Sequence, residues 1–168
     1  MLAYLRIFST PRVASNKRCP PARQLRSIEL LTIARAFADE MIAHSQQEDP
    51  NECCGILAGR NDVVANVYRI ANSTPSPFRY VMEPQEMLNA MRDADSNEWD
   101  ITAFYHSHTH SPAYPSPTDV RMAQQSGWLG EDIYYILVSL EDKETPQIRA
   151  FRIMESGEIV EREFIIQD

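Results

Sequence analysis

The stretch from Ile101 to Asp119 constrains this chain most, because it prescribes a strand end, a loop and a helix start in that order. Ile101-Thr-Ala-Phe-Tyr105 is β-branched, small and aromatic, the composition of a buried strand. Side chains two apart on a strand point the same way, so His106 and His108 present both imidazoles on one side at its end. The chain has four histidines, and three of them (His106, His108, His110) fall within five positions. Ser111-Pro112 and Pro115 signal a loop. Ser116-Pro117-Thr118-Asp119 then reads as an N-cap, a first helical residue and a reciprocal capping partner.

Two imidazoles and one carboxylate, with a fourth position left for water, is the pattern of a catalytic rather than a structural zinc. His106, His108 and Asp119 therefore read as a hydrolytic zinc site, or alternatively as a satisfied strand-end pair beside an ordinary helix cap. The two readings are compatible, since a carboxylate held in a helix's first turn is a well-oriented ligand. A separate acid-base residue lies upstream. Asp49-Pro-Asn-Glu52 precedes the apolar run Cys53-Cys-Gly-Ile-Leu-Ala-Gly59, in which Ile56 and Leu57 read as strand core. Gly55 and Gly59 there signal close backbone approach or a turn. Glu52 sits at the mouth of that strand, although by its local sequence alone it is a solvated loop acid. His110 reads as a loop residue near the cleft and not a third ligand. His44, in a helical stretch without a partner pattern, reads as a surface residue.

Taken together, Glu52 with Cys-Gly-Ile-Leu-Ala-Gly, His106-Ser-His108, then Ser116 and Asp119, resembles the JAMM (MPN+) family of zinc metallopeptidases, from about Leu25 to the C-terminus. Tyr114-Pro-Ser-Pro-Thr-Asp-Val120 and the short length are most similar to compact bacterial members. Those members remove groups from the C-terminus of ubiquitin-like sulfur-carrier proteins, including cysteine from a carrier-cysteine adduct. The resemblance implies that His106, His108 and Asp119 bind Zn2+ and that Glu52 is general base on a zinc-bound water. It also implies that Ser116 supports the developing oxyanion. The expected substrate is a ubiquitin-like carrier with a Gly-Gly tail, whose slender end enters a narrow cleft. Such a tail could add to a sheet edge, with Ser73 to Tyr80 and Thr109 to Pro115 as the surface. A non-catalytic scaffold module of the same fold and a zinc hydrolase of small amides are the alternatives. The scaffold reading is disfavoured because no ligand is missing.

The rest of the chain sets outer bounds. At 168 residues it is long enough for one domain with a proper core, here expected over 25–168 after an extension at 1–24. Its 43% hydrophobic and 24% charged content is that of an ordinary globular protein. No apolar run approaches the roughly 20 residues of a membrane span. Residues 1–26 carry six basic side chains and no acid, so the other ten basic residues face all 24 acidic ones, a net of −14. That balance argues against nucleic-acid binding. Cys19, Cys53 and Cys54 are odd in number and form no Cys-x-x-Cys pair, which fits a reducing, cytoplasmic setting without a disulfide framework. A Cys-His nucleophile is disfavoured because the histidines are better explained as ligands. Cys53 and Cys54 should point to opposite faces, one core and one more exposed. The sequence leaves room for a homodimer without specifying one.

Element order alternates between strand and helix. Strands are expected at Ser27 to Ile33, 54–59, 63–71, 101–106, Ile133 to Leu140, Gln147 to Met154 and Ile159 to Ile166. In the first, Ile28, Leu30 and Thr32 share a face. Helices are expected at Ala34 to Gln47 (Ile42 and Ala43 inward), Pro84 to Asp95 (Met87, Leu88 and Met91 on the apolar face) and Pro117 to Gln125. This is an α/β pattern, a sheet covered by helices. The resemblance makes it the mixed, curved sheet shared with cytidine deaminases, whose own His-x-Glu and Pro-Cys-x-x-Cys signature is absent.

Overall fold

The computed structural model describes residues 30–168, so the extension at 1–24 and the proposed strand residues 27–29 lie outside the described residues. Among the described residues the order is β1 (Leu31–Ala34), α1 (Arg35–Glu48), β2 (Cys54–Arg60), β3 (Val63–Ile70), α2 (Pro84–Ser96), β4 (Asp100–His108), α3 (Pro117–Ser126), β5 (Tyr134–Ser139), β6 (Gln147–Ile153), β7 (Ile159–Arg162) and β8 (Phe164–Gln167).

One eight-stranded sheet joins them in the order β7-β6-β5-β4-β2-β3-β1-β8. It is mixed. β1 runs parallel to β3 and β8, and β4 parallel to β5, while the other pairs are antiparallel. The strand expected at 159–166 is two strands, separated by Glu163, that lie at opposite ends of the sheet order. Two strands one residue apart can occupy opposite edges only if the sheet curls until those edges approach, so the sheet is an incomplete barrel. α1 packs inside the curl, touching β1, β3, β4, β5 and β8, and α2 covers β2, β3 and β4.

Both faces of the sheet are therefore buried, each against its own apolar cluster. Leu31, Ile33, Ala38, Met41, Leu57, Tyr105 and Ile136 belong to one. Ile56, Phe104, Ala90, Ala123, Leu137 and Phe151 belong to the other. This burial corrects several expectations. Cys53 and Cys54 do face opposite sides, but both are buried, at 1% and 0% exposure, because neither side is open. The inward face of β1 is Leu31 and Ile33, with Leu30 exposed. On α1 the inward residues are Ala38, Met41, His44 and Ser45, while Ala43 is exposed and Ile42 half-buried. On α2, Ala90 and Ala94 are buried, Met87 and Met91 pack partly buried on the same cluster as expected, and Leu88 is exposed.

The two glycines of β2 meet close neighbours, as expected. A Cβ at Gly55 would lie 2.2 Å from Tyr105 Cε1, and one at Gly59 would lie 2.0 Å from the Val63 carbonyl oxygen. Gly59 precedes the hairpin turn at Asn61 and Asp62, both at positive φ (53° and 60°), as a primed turn requires.

Candidate metal centre

Central strand β4 delivers His106 and His108 from its C-terminal end, on the face it shares with Phe104. α3 delivers Asp119 from its first turn. The helix starts with a complete capping box: Asp119 N–H donates to Ser116 Oγ (3.2 Å) and Ser116 N–H donates to Asp119 Oδ2 (2.6 Å). Pro117 occupies the first turn, where its missing N–H costs nothing. The structural and functional readings of Ser-Pro-Thr-Asp thus hold together. The cap fixes the carboxylate in front of the two imidazoles.

The three side chains are buried and converge. His106 Nε2 lies 3.2 Å from His108 Nε2. His106 Nε2 is 3.4 Å from Asp119 Oδ1, and His108 Nε2 is 3.4 Å from Asp119 Oδ2. Donors bound at roughly 2.0–2.2 Å to a small tetrahedral ion stand about 3.3–3.6 Å apart, so these separations suit one shared ion. Among the described residues this is the group of His, Cys, Asp and Glu side chains that could hold a metal.

The surroundings set the protonation of the ligands. His108 Nδ1 is 2.9 Å from the Pro112 carbonyl oxygen, which can only accept. The ring proton therefore sits on Nδ1, and the Nε2 lone pair faces the centre, the arrangement typical of a metal-binding histidine. Without an ion and with the imidazoles protonated, burial alone would raise the Asp119 carboxyl pKa; the His106 charge and the hydrogen bonds from His106, His108 and Ser116 outweigh it and hold the group well below the usual carboxylate range. The His106 ring packs on Tyr80, with centroids 4.7 Å apart.

Glu52 joins this group and is no solvated acid. It is 4% exposed, and its Oε2 is buried without a hydrogen-bond partner among the described residues. Burial pushes its carboxyl pKa up, opposed by the charges of His106 and His108. Cys53 N–H, one residue on, donates to Ser107 Oγ (2.8 Å), and Ser107 N–H donates to the Cys53 carbonyl (3.1 Å). The serine between the two histidines thus ties the acid's strand to the ligand strand.

His110 stands outside the group, exposed, with Nδ1 2.7 Å from Thr109 Oγ1. His44 is not on the surface: it is 6% exposed on α1, with Nδ1 2.8 Å from the Tyr105 hydroxyl. The Pro112 carbonyl and Tyr80 fall within the two segments expected to line the cleft, but no sequence signal gave their contacts with the histidines: the first is backbone and the second comes from an irregular loop.

Residues 34–154 match the model of the prokaryotic homologs of the JAB domain. A CysO-cysteine peptidase of Mycobacterium tuberculosis is 32% identical over 133 residues, covering 78% of this chain and 88% of that protein. A Thermus thermophilus protein named "Probable TtuB-protein conjugate cleaving protease" is 32% identical over 131 residues, covering 77% of this chain and 80% of that one. The solution structure of a Desulfitobacterium hafniense protein superposes with a TM-score of 0.71 at 35% identity, over 82% of this chain and 92% of that chain. With the family match spanning both β4 and the start of α3, the chain belongs to the prokaryotic branch of the JAB (JAMM/MPN) domain family.

Proposed function

We propose that this protein is a zinc-dependent metallopeptidase that hydrolyses the bond after the Gly-Gly C-terminus of a ubiquitin-like sulfur-carrier protein. Release of cysteine from a carrier-cysteine adduct is the representative reaction. The observation that carries the reading is the pairing of three mutually spaced ligand atoms with the buried carboxyl of Glu52, which feels the charges of those side chains and whose Oε2 has no hydrogen-bond partner among the described residues. His106, His108 and Asp119 would hold the ion, and two imidazoles with one carboxylate suit zinc. When bound, zinc supplies Lewis acidity toward the scissile carbonyl and an activated water near neutral pH.

The remaining work falls to the chain's own groups. Among the described residues Glu52 Oε2 has no competing donor, so it would take a proton from the attacking water and return it to the leaving amine. The same carboxyl would hold that proton between the two steps. Ser116 Oγ already accepts from Asp119 N–H, which leaves its hydroxyl hydrogen to donate to the developing oxyanion. The carrier's tail enters along Ser73 to Tyr80 and Thr109 to Pro115, where glycines avoid clashes that side chains would make. Cys53 and Cys54 are free thiols, consistent with a reducing, cytoplasmic setting. No helix among the described residues is long and apolar enough to cross a membrane.

Intact-mass analysis of a carrier bearing a C-terminal cysteine or peptide adduct tests this reading. The zinc-loaded wild type should cleave after Gly-Gly. Glu52→Gln should keep zinc and lose about 100- to 10,000-fold in rate. No cleavage by the zinc-loaded wild type would move the weight to the scaffold or small-amide readings.

A further inference from the structure

The loop at 72–82 is closed at its neck by the Asn72–Met82 bridge and by Ser73 N–H donating to the Val81 carbonyl (2.8 Å). Inside that neck, Asn72 uses its whole side-chain amide. Its Oδ1 accepts from Thr74 N–H (3.1 Å) and Val81 N–H (3.0 Å), which folds the loop. Its Nδ2 donates to the Arg79 carbonyl (3.3 Å) and to the Glu52 carbonyl (2.9 Å). Glu52 N–H in turn donates to the Ser76 carbonyl (2.8 Å). The same loop therefore grips the main chain of Glu52 at both its N–H and its C=O, and also carries Tyr80, whose ring lies on His106.

We infer that Asn72 is a positioning residue for Glu52, a tether that locks the 72–82 loop to the acid so that the carboxyl and the ligand pair keep one relative placement. This rests on the role proposed for Glu52. Glu52 Oε2 has no hydrogen-bond partner among the described residues to orient it, so the main chain of Glu52 bears on its placement. Ser107 holds that chain from the β4 side through Cys53, and Asn72 holds it from the loop side. An aspartate at this position would keep the Oδ1 interactions that fold the loop. It would set a carboxylate oxygen against two carbonyls in place of the amide donor.

The experiment compares Asn72→Asp with Glu86→Ala, both zinc-loaded. Glu86 Oε2 accepts from Ala71 N–H (2.7 Å) at the loop's neck without touching Glu52, so its variant reports destabilisation of the neck and of the first turn of α2 with the Asn72 contacts left in place. Asn72→Asp should lose about tenfold or more in kcat on the carrier adduct, with KM within about twofold and zinc content unchanged. In the metal-free protein, its Glu52 amide hydrogen should exchange about tenfold faster, with the Tyr105 amide unmoved. Glu86→Ala should do neither. Retained kcat in Asn72→Asp, an unchanged Glu52 exchange rate, or an equal loss in Glu86→Ala would overturn the tether. If the wild type turns over no adduct, the functional reading fails, and the Glu52 exchange rate alone decides whether Asn72 holds the acid.

Discussion

At the scale of single residues, each ligand of the site is held by a neighbour of its own. The Pro112 carbonyl fixes the tautomer of His108, the capping box fixes Asp119, and packing on Tyr80 fixes the ring of His106. Removing one ligand leaves two, too few for a stable tetrahedral site. Asp119→Ala should therefore lose its zinc on dialysis, measured by elemental analysis, and retention of a full equivalent would contradict the assignment. His110→Ala should keep its zinc, because that ring is exposed and bonded to its neighbour Thr109. These residues were the most legible part of the sequence. The spacing of two histidines on a strand end and an acid in a capped first turn follows from backbone geometry alone. The burial of Glu52 was not legible, because what covers it is a loop 20 or more residues away in sequence.

At the scale of elements, the strands around the centre are packed too tightly to vary. Gly55 faces the Tyr105 ring and the Tyr68 carbonyl, at 2.2 and 2.3 Å from where a Cβ would stand. Gly55→Ala should therefore cost about 3 kcal/mol or more, and an unfolding midpoint within a degree or two of wild type would contradict that packing. α1 meets the same strand through His44, whose pKa burial lowers to about 4, helped by the charge of Arg69. The unfolded chain takes up this proton near the ordinary value of 6.5 and the native state only near 4, so the unfolded state binds more protons between them. His44 thus leaves stability unchanged above that window and lowers it as pH falls through it, by at most about 3 kcal/mol. Urea titrations at about pH 7 and about pH 5 should show a smaller loss on acidification for His44→Gln than for wild type. Equal losses would mean that His44 does not titrate in this way. Both helices were legible in kind and only partly in orientation: Ile42, Met87 and Met91 do pack on the core, while Ala43 and Leu88 are exposed. The helix pattern at 34–47 is weakly amphipathic, and its most telling inward residue is a histidine, which periodicity counts as polar. On α2 the small Ala90 and Ala94 are the buried residues, and the larger Leu88 is exposed.

At the scale of the whole molecule, the curl of the sheet brings β8 beside β1 and places Phe164 and Ile166 against the inner cluster. A continuous strand over 159–166 would have left β1 with an open edge. The break at Glu163 depends on where the other edge of the sheet lies, which no local pattern reports. Deleting residues 164–168 should lower the unfolding midpoint by roughly 10 °C or more, since two partly buried side chains and a whole edge pairing are lost. An unchanged midpoint would mean that the closure is not structural. The curled sheet matters for function because β2 and β4 lie between other strands, so that Glu52 and the histidine pair are held by a scaffold covered on both faces. The most direct measurement is anomalous X-ray diffraction at the zinc absorption edge from crystals of the zinc-loaded wild type. A single peak at roughly 2.0–2.2 Å from His106 Nε2, His108 Nε2 and an Asp119 oxygen is predicted. No peak there, or zinc bound elsewhere on the chain, would contradict the metal centre on which the proposed hydrolysis depends.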